Sequence, residues 1–170
     1  MATIFLIGYM GSGKSTAGKK LAAKLQVDFV DLDKFIETES GQPITAIFAE
    51  KGENEFRALE NNALKKLVNE SHDRVIACGG GTPCYYGNME LMNNHGITIY
   101  LKMSADALAS RLVNAKDKRP LLENKTEEEL RNFITEHLEK REDIYHQAQY
   151  IIKGKNLDVD EMVEFVASLK

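Results

Sequence analysis

Cysteine is scarce in this chain, with only Cys78 and Cys84 among 170 residues. Two thiols cannot build a disulfide framework, and no histidine or further cysteine completes a four-ligand zinc set around them. Free thiols in a reducing cytoplasm are the expectation. The four histidines are scattered rather than clustered. No apolar run approaches the ~20 residues of a membrane span. The opening residues lack the basic segment, long apolar core and small-residue cleavage site of a secretory leader. Excess positive charge is missing too. A net charge of −4 and a pI near 5.6 argue against non-specific nucleic-acid binding. There is no repeat, low-complexity tract or linker, so 170 residues are read as one domain spanning 1–170.

Apolar, β-branched runs occur at Ile4–Ile7, Phe29–Leu32, Val75–Cys78, Ile97–Leu101 and Tyr150–Ile152. Between them lie segments of helical period. Lys14–Leu25 puts Ala17, Leu21 and Leu25 on one stripe, and Ser104–Val113 does the same with Ala105, Leu108, Ala109 and Leu112. Thr126 and Glu129 have capping-box spacing ahead of Leu130, Ile134 and Leu138. Strands alternating with helices predict parallel pairing and a three-layer α/β sandwich.

Straight after the first apolar run the chain reads GYMGSGKST, which fits the template GxxxxGK[ST] at Gly8, Gly13, Lys14 and Ser15. Glycines let backbone N–H groups turn inward around a phosphate, and the helix starting near Lys14 aims its positive end at the same group. Lys14 is placed to bridge the β- and γ-phosphates of a nucleoside triphosphate, and Ser15 to ligate Mg²⁺.

The second strand ends as FVDLDKFIE. Two residues apart on a strand, Asp31 and Asp33 project to one side, where they could serve Mg²⁺ and a hydroxyl nucleophile. Asp33 could equally cap a helix over Lys34–Ser40. Only six of the 22 basic residues are arginine. Arg141 falls on the apolar stripe of Ile134, Leu138 and Tyr145, where a guanidinium needs an anion. Arg57 has Glu60 one turn on, which makes it a structural ion pair or an oriented substrate ligand. The third strand ends in CGGGT, leaving Gly79, Gly80 and Gly81 as bare backbone for a ligand. No aspartate ends that strand, which counts against GTPase and motor-ATPase classes. Arg119, in the charged stretch KDKRPLLENK, could reach a transferring phosphoryl group if that loop closes and excludes water. The set points to a kinase for a small hydroxyl compound with an anionic group. A gluconate or nucleotide kinase and a non-catalytic ATP-binding module are the alternatives.

In GYMGSGKST, FVDLDKFIE, ITAIFAEKGENEFRALE, the triplet GGG, KRPLL and KREDIY, the whole chain resembles shikimate kinase, an ATP-dependent family of aromatic amino-acid biosynthesis. The resemblance implies a P-loop kinase fold with a five-stranded parallel sheet in order 2-3-1-4-5, a substrate-binding segment over about 33–60 and a mobile lid over about 114–125. It implies transfer from ATP to the 3-hydroxyl of shikimate by a cytoplasmic enzyme, and nothing demands more than a monomer. Lys14, Asp33 and Arg119 would be catalytic. Gly11, Ser12, Gly13, Lys14, Ser15, Thr16, Arg111, Arg119 and Lys155 would hold ATP. Asp33, Arg57, Gly79–Gly81 and Arg141 would hold shikimate, with Phe48 and Phe56 shaping the pocket. Ser15 would bind Mg²⁺ directly and Asp31 through water. Two stretches depart from the family pattern. The tail TPCYYGNMELM after the glycines does not match it, and Lys153 and Lys155 stand where an arginine often approaches the adenine.

Overall fold

The structure, a computed structural model, describes residues 2–115, 122 and 124–169. Arg119 and much of the expected lid therefore lie outside the described residues. Strands β1 (Thr3–Ile7), β2 (Asp28–Asp31), β3 (Arg74–Ala77), β4 (Gly96–Lys102) and β5 (Tyr150–Lys153) form one parallel sheet in the order β2-β3-β1-β4-β5. The register pairs Phe5 of β1 with Ile76 of β3 and Thr98 of β4. Among the described residues seven α-helices flank these strands: α1 (Lys14–Leu25), α2 (Leu32–Ser40), α3 (Ile44–Asn69), α4 (Asn88–His95), α5 (Ala105–Val113), α6 (Glu127–Tyr145) and α7 (Val159–Ser168). No described helix is long and apolar enough to cross a membrane.

The alternation of β1 divides the core into two layers. Ile4 and Leu6 point to one face, packing with Ala17 and Leu21 of α1 and Met162 and Val166 of α7. Phe5 and Ile7 point to the other, packing with Ile36 of α2, Leu64 of α3, Met92 of α4 and Ile134 of α6. Full burial of such side chains stabilises by about 1.5–3 kcal/mol each, which anchors the strand ends that carry the site. The helix α6 opens with the capping box read from the sequence. Glu129 N–H donates to the Thr126 hydroxyl at 3.2 Å, and Thr126 N–H donates to the Glu129 carboxylate at 3.0 Å.

One expectation fails at the end of β2. The strand stops at Asp31, and Leu32 begins α2. Asp31 is the N-cap, accepting from Lys34 N–H at 3.3 Å, while Asp33 lies in the first helical turn. Strand alternation thus does not relate the two carboxylates, and Asp33 is not the cap. The reason is local: the Asp31 carboxylate satisfies an orphan N–H at the helix start, and the turn buries Leu32 completely.

In this strand order, β1 and β3 are neighbours whose crossovers leave in opposite directions, so a crevice opens at their carboxyl ends. The loop after β1 and the glycines after β3 face each other across it.

Candidate active site

The loop from Gly8 to Gly13 joins β1 to α1. Gly13, the N-cap of α1, has φ 89°, a left-handed conformation that a side chain resists. That turn leaves the first N–H groups of α1 directed at the crevice, a ready anion site. The Lys14 ammonium is buried and donates to the carbonyls of Gly8 at 2.6 Å and Tyr9 at 2.9 Å, so it lies folded over the loop. Ser12 is buried, and its hydroxyl has no partner among the described residues. Arg111, from the last turn of α5, donates to Gly11 C=O at 3.2 Å and so borders the loop's outer edge.

A cavity of about 330 Å³ opens beside this loop. Gly11, Gly13, Lys14, Ser15 and Thr16 line it on one side, and Asp31, Asp33, Gly79 and Gly80 on the other. The Ser15 hydroxyl donates to Asp31 Oδ2 at 2.9 Å. Two hard oxygen donors at the phosphate end suit Mg²⁺, which is held by one or two protein groups plus substrate phosphates rather than by a protein cage. Among the described residues no group of three or more His, Cys, Asp or Glu forms such a cage.

A smaller hollow of about 60 Å³ adjoins the first, and the two share Met10, Asp33, Gly79 and Gly80. Arg57, Glu60, Phe56 and Phe48 enter it from α3, and Arg141 from α6. Arg57 is buried and donates to Glu60 at 3.0 Å, and the fully buried Glu60 accepts from the Thr82 hydroxyl at 2.7 Å. Burial pulls the Arg57 guanidinium down, but Glu60, Tyr85 and Glu53 together hold it above its ordinary range. Burial also pushes the Glu60 carboxyl up, against the pull of Arg57 and Thr82. Arg141 is half-buried, 6.0 Å from the Tyr9 ring and hydrogen-bonded with the Tyr145 hydroxyl.

The three glycines are seated by close packing. A Cβ on Gly81 would lie 2.8 Å from Arg57 Cζ, inside contact distance, so only glycine lets the guanidinium lie against this turn. The buried Tyr145 hydroxyl donates to Gly80 C=O, and burial holds that phenol protonated far above its ordinary range. Phe48 and Phe56 pack with ring centroids 4.6 Å apart at the rim.

Of the residues expected from the sequence, Gly11, Gly13, Lys14, Ser15, Thr16, Asp31, Asp33, Arg57, Gly79–Gly81 and Arg141 come together around these two hollows, while Ser12 and Arg111 line neither. Arg119 lies outside the described residues. Lys155 does not reach either hollow; it lines a separate depression between β5 and α7 with Asn156 and Phe165. Sequence reasoning missed Thr82, Met10 and Tyr145. Thr82 and Tyr145 carry no local signal, because each acts through a partner distant in the chain, and Met10 stands at a variable position of the loop template.

Residues 10–169 match the family model described as shikimate kinase. A shikimate kinase of Azobacteroides pseudotrichonymphae is 45% identical over 164 residues, covering 96% of each chain. The crystal structure of a shikimate kinase from Bacteroides thetaiotaomicron superposes with TM-score 0.91 at 44% identity, covering 99% of this chain and 97% of that one. A shikimate kinase from Acinetobacter baumannii, solved in complex with shikimate, gives TM-score 0.84 at 32% identity over 100% of this chain and 95% of that one.

Proposed function

The chain belongs to the shikimate kinase family, and from that premise we propose that its cleft moves the γ-phosphoryl group of ATP to the 3-hydroxyl of shikimate, releasing ADP. The observation that carries this reading is the shared wall of the two hollows. A phosphate-binding loop and an arginine-lined pocket meet at Asp33, Gly79 and Gly80, so a donor phosphate and an anionic acceptor would meet there.

In this reading the N–H groups of residues 11–16 and the α1 terminus hold the ATP phosphates, and Lys14 swings from the Gly8 and Tyr9 carbonyls to the β- and γ-phosphates. Ser15 would hold Mg²⁺ directly and Asp31 through water, and the ion would neutralise phosphate charge. Arg111 borders the nucleoside, and the resemblance assigns Arg119, outside the described residues, to the ATP phosphates. Arg57 and Arg141 grip the shikimate carboxylate, which fixes the ring, while Gly79–Gly81 offer backbone donors to its hydroxyls. Asp33 accepts a hydrogen bond from the attacking hydroxyl. As the new P–O bond forms and the bond to the β-phosphate oxygen breaks, that proton passes to Asp33 and then to solvent. Positioning and charge neutralisation supply most of the rate in such a transfer.

The free thiols of Cys78 and Cys84 support a cytoplasmic setting. The test is ADP release from Mg²⁺-ATP with shikimate, gluconate, AMP or no acceptor in parallel. Release with shikimate alone is expected; release with another acceptor instead would remove this substrate.

A further inference from the structure

The stretch TPCYYGNMELM, which follows the three glycines, places one aromatic side chain against the substrate arginine. Thr82–Cys84 form a 3₁₀ turn with Pro83 in its first positions. Cys84 N–H donates to Gly81 C=O at 3.0 Å, and Asn88 N–H donates to Tyr85 C=O at 3.0 Å. The buried Asn88 side chain donates to Thr82 C=O at 2.9 Å and accepts from Asn61 of α3 at 2.7 Å. Tyr86 (φ 53°) and Gly87 (φ 67°) then turn the chain into α4. Hydrogen bonds and backbone thus brace Tyr85 on both sides.

The Tyr85 ring lies with its centroid 4.3 Å from Arg57 Cζ. Its hydroxyl donates to Glu53 at 3.1 Å, and Glu53 also accepts from Arg57 at 3.5 Å. Phe56 is farther, 5.2 Å from the same carbon. The guanidinium is therefore confined by Glu60 on one edge, the Gly81 turn beneath and the Tyr85 ring. Tyr85 does not line the substrate hollow; it reaches that hollow through Arg57.

We infer that Tyr85 is a positioning residue for the acid substrate: its ring fixes the plane of the Arg57 guanidinium, so that the free edge is presented to the substrate carboxylate. This rests on the kinase reading above. A face contact to an aromatic ring strengthens as the cation loses water, and a guanidinium held in one plane forms a bidentate pair with less ordering cost than a mobile one. The hydroxyl plays the lesser part, tethering Glu53 at the rim.

The experiment compares the parent protein with Tyr85→Ala, Tyr85→Leu and Tyr85→Phe, measuring kcat, both Michaelis constants and calorimetric shikimate binding. The alanine and leucine variants are expected to raise KM and Kd for shikimate about tenfold. KM for ATP and kcat should stay within about twofold, and phenylalanine should restore most of the affinity. Leucine keeps the bulk without the π face, so it carries the test if the alanine variant does not fold. Unchanged shikimate affinity in the leucine variant overturns the proposal, as does an equal rise in both Michaelis constants. A phenylalanine variant as weak as alanine overturns it too, by assigning the effect to the hydroxyl. A parent protein that neither binds nor phosphorylates shikimate overturns the kinase reading and this inference together.

Discussion

The Ser15 hydroxyl donates to the Asp31 carboxylate across 2.9 Å, tying the first turn of α1 to the end of β2 at the mouth of the phosphate cavity. The same carboxylate caps α2 through Lys34 N–H, so Asp31 serves the fold with one oxygen and, in the proposed reading, the metal position with the other.

Asp31→Asn separates these duties, because asparagine caps a helix about as well as aspartate. Thermal stability should change little, while the Mg²⁺ concentration giving half-maximal rate should rise about tenfold. A Mg²⁺ titration at fixed ATP reads this directly. An unshifted midpoint would reduce Asp31 to a helix cap.

Asp33→Asn should lower kcat by about 10²-fold or more, the usual scale for losing a positioned proton acceptor. KM for ATP should move by no more than about threefold. Steady-state kinetics with each substrate varied in turn decides it, and near-normal turnover would leave Asp33 as a first-turn helix residue.

Arg57 and Arg141 should respond differently to alanine. Arg141 lines the same hollow but is less buried than Arg57. Its loss should therefore raise KM for shikimate by about 10–100-fold, as expected for one charged hydrogen-bonding group, with little effect on ATP or on Tm. Removing Arg57 also strands Glu60, which is fully buried. Breaking a buried pair in this way costs about 3–5 kcal/mol. Arg57→Ala should thus lower Tm as well as affinity, and Arg57→Ala/Glu60→Gln should recover part of the Tm but not the affinity. Equal Tm losses for both arginines would contradict this division.

Burial pushes the Cys78 thiol far above its ordinary range, and burial likewise pushes up the phenols of Tyr100 and Tyr145. In the unfolded chain these groups lose their protons near pH 8.5 and 10, while the folded protein keeps them. The folded state therefore binds more protons above those values, and stability falls as pH rises. The slope steepens by up to about 1.4 kcal/mol per pH unit for each group. Urea unfolding between pH 7 and 10 should show the decline starting near pH 8.5, and Cys78→Ala should flatten its first part. A flat profile would show that Cys78 ionises in the folded protein.

Much of the fold was legible because its signals are local. All five strands were read to within one residue at each end. Parallel strands buried on both faces are continuous apolar runs. The capping box of α6 and the stripe of α1 depend on neighbours three or four residues apart. The pair Asp31 and Asp33 was misjudged for the same reason inverted. The two-residue rule holds only while the chain stays extended, and a helix begins between them.

The sequence by itself determined the phosphate loop, the alternation of strands and helices, and which arginines were chemically unusual, since each follows from residue type and short-range spacing. Only the tertiary structure decided what those arginines meet. Glu60 reaches Thr82 across 22 positions and Tyr145 reaches Gly80 across 65. Tyr85 comes over Arg57 because a braced turn and α3 pack side by side. Contacts between distant segments depend on how elements pack, and no local pattern encodes that geometry.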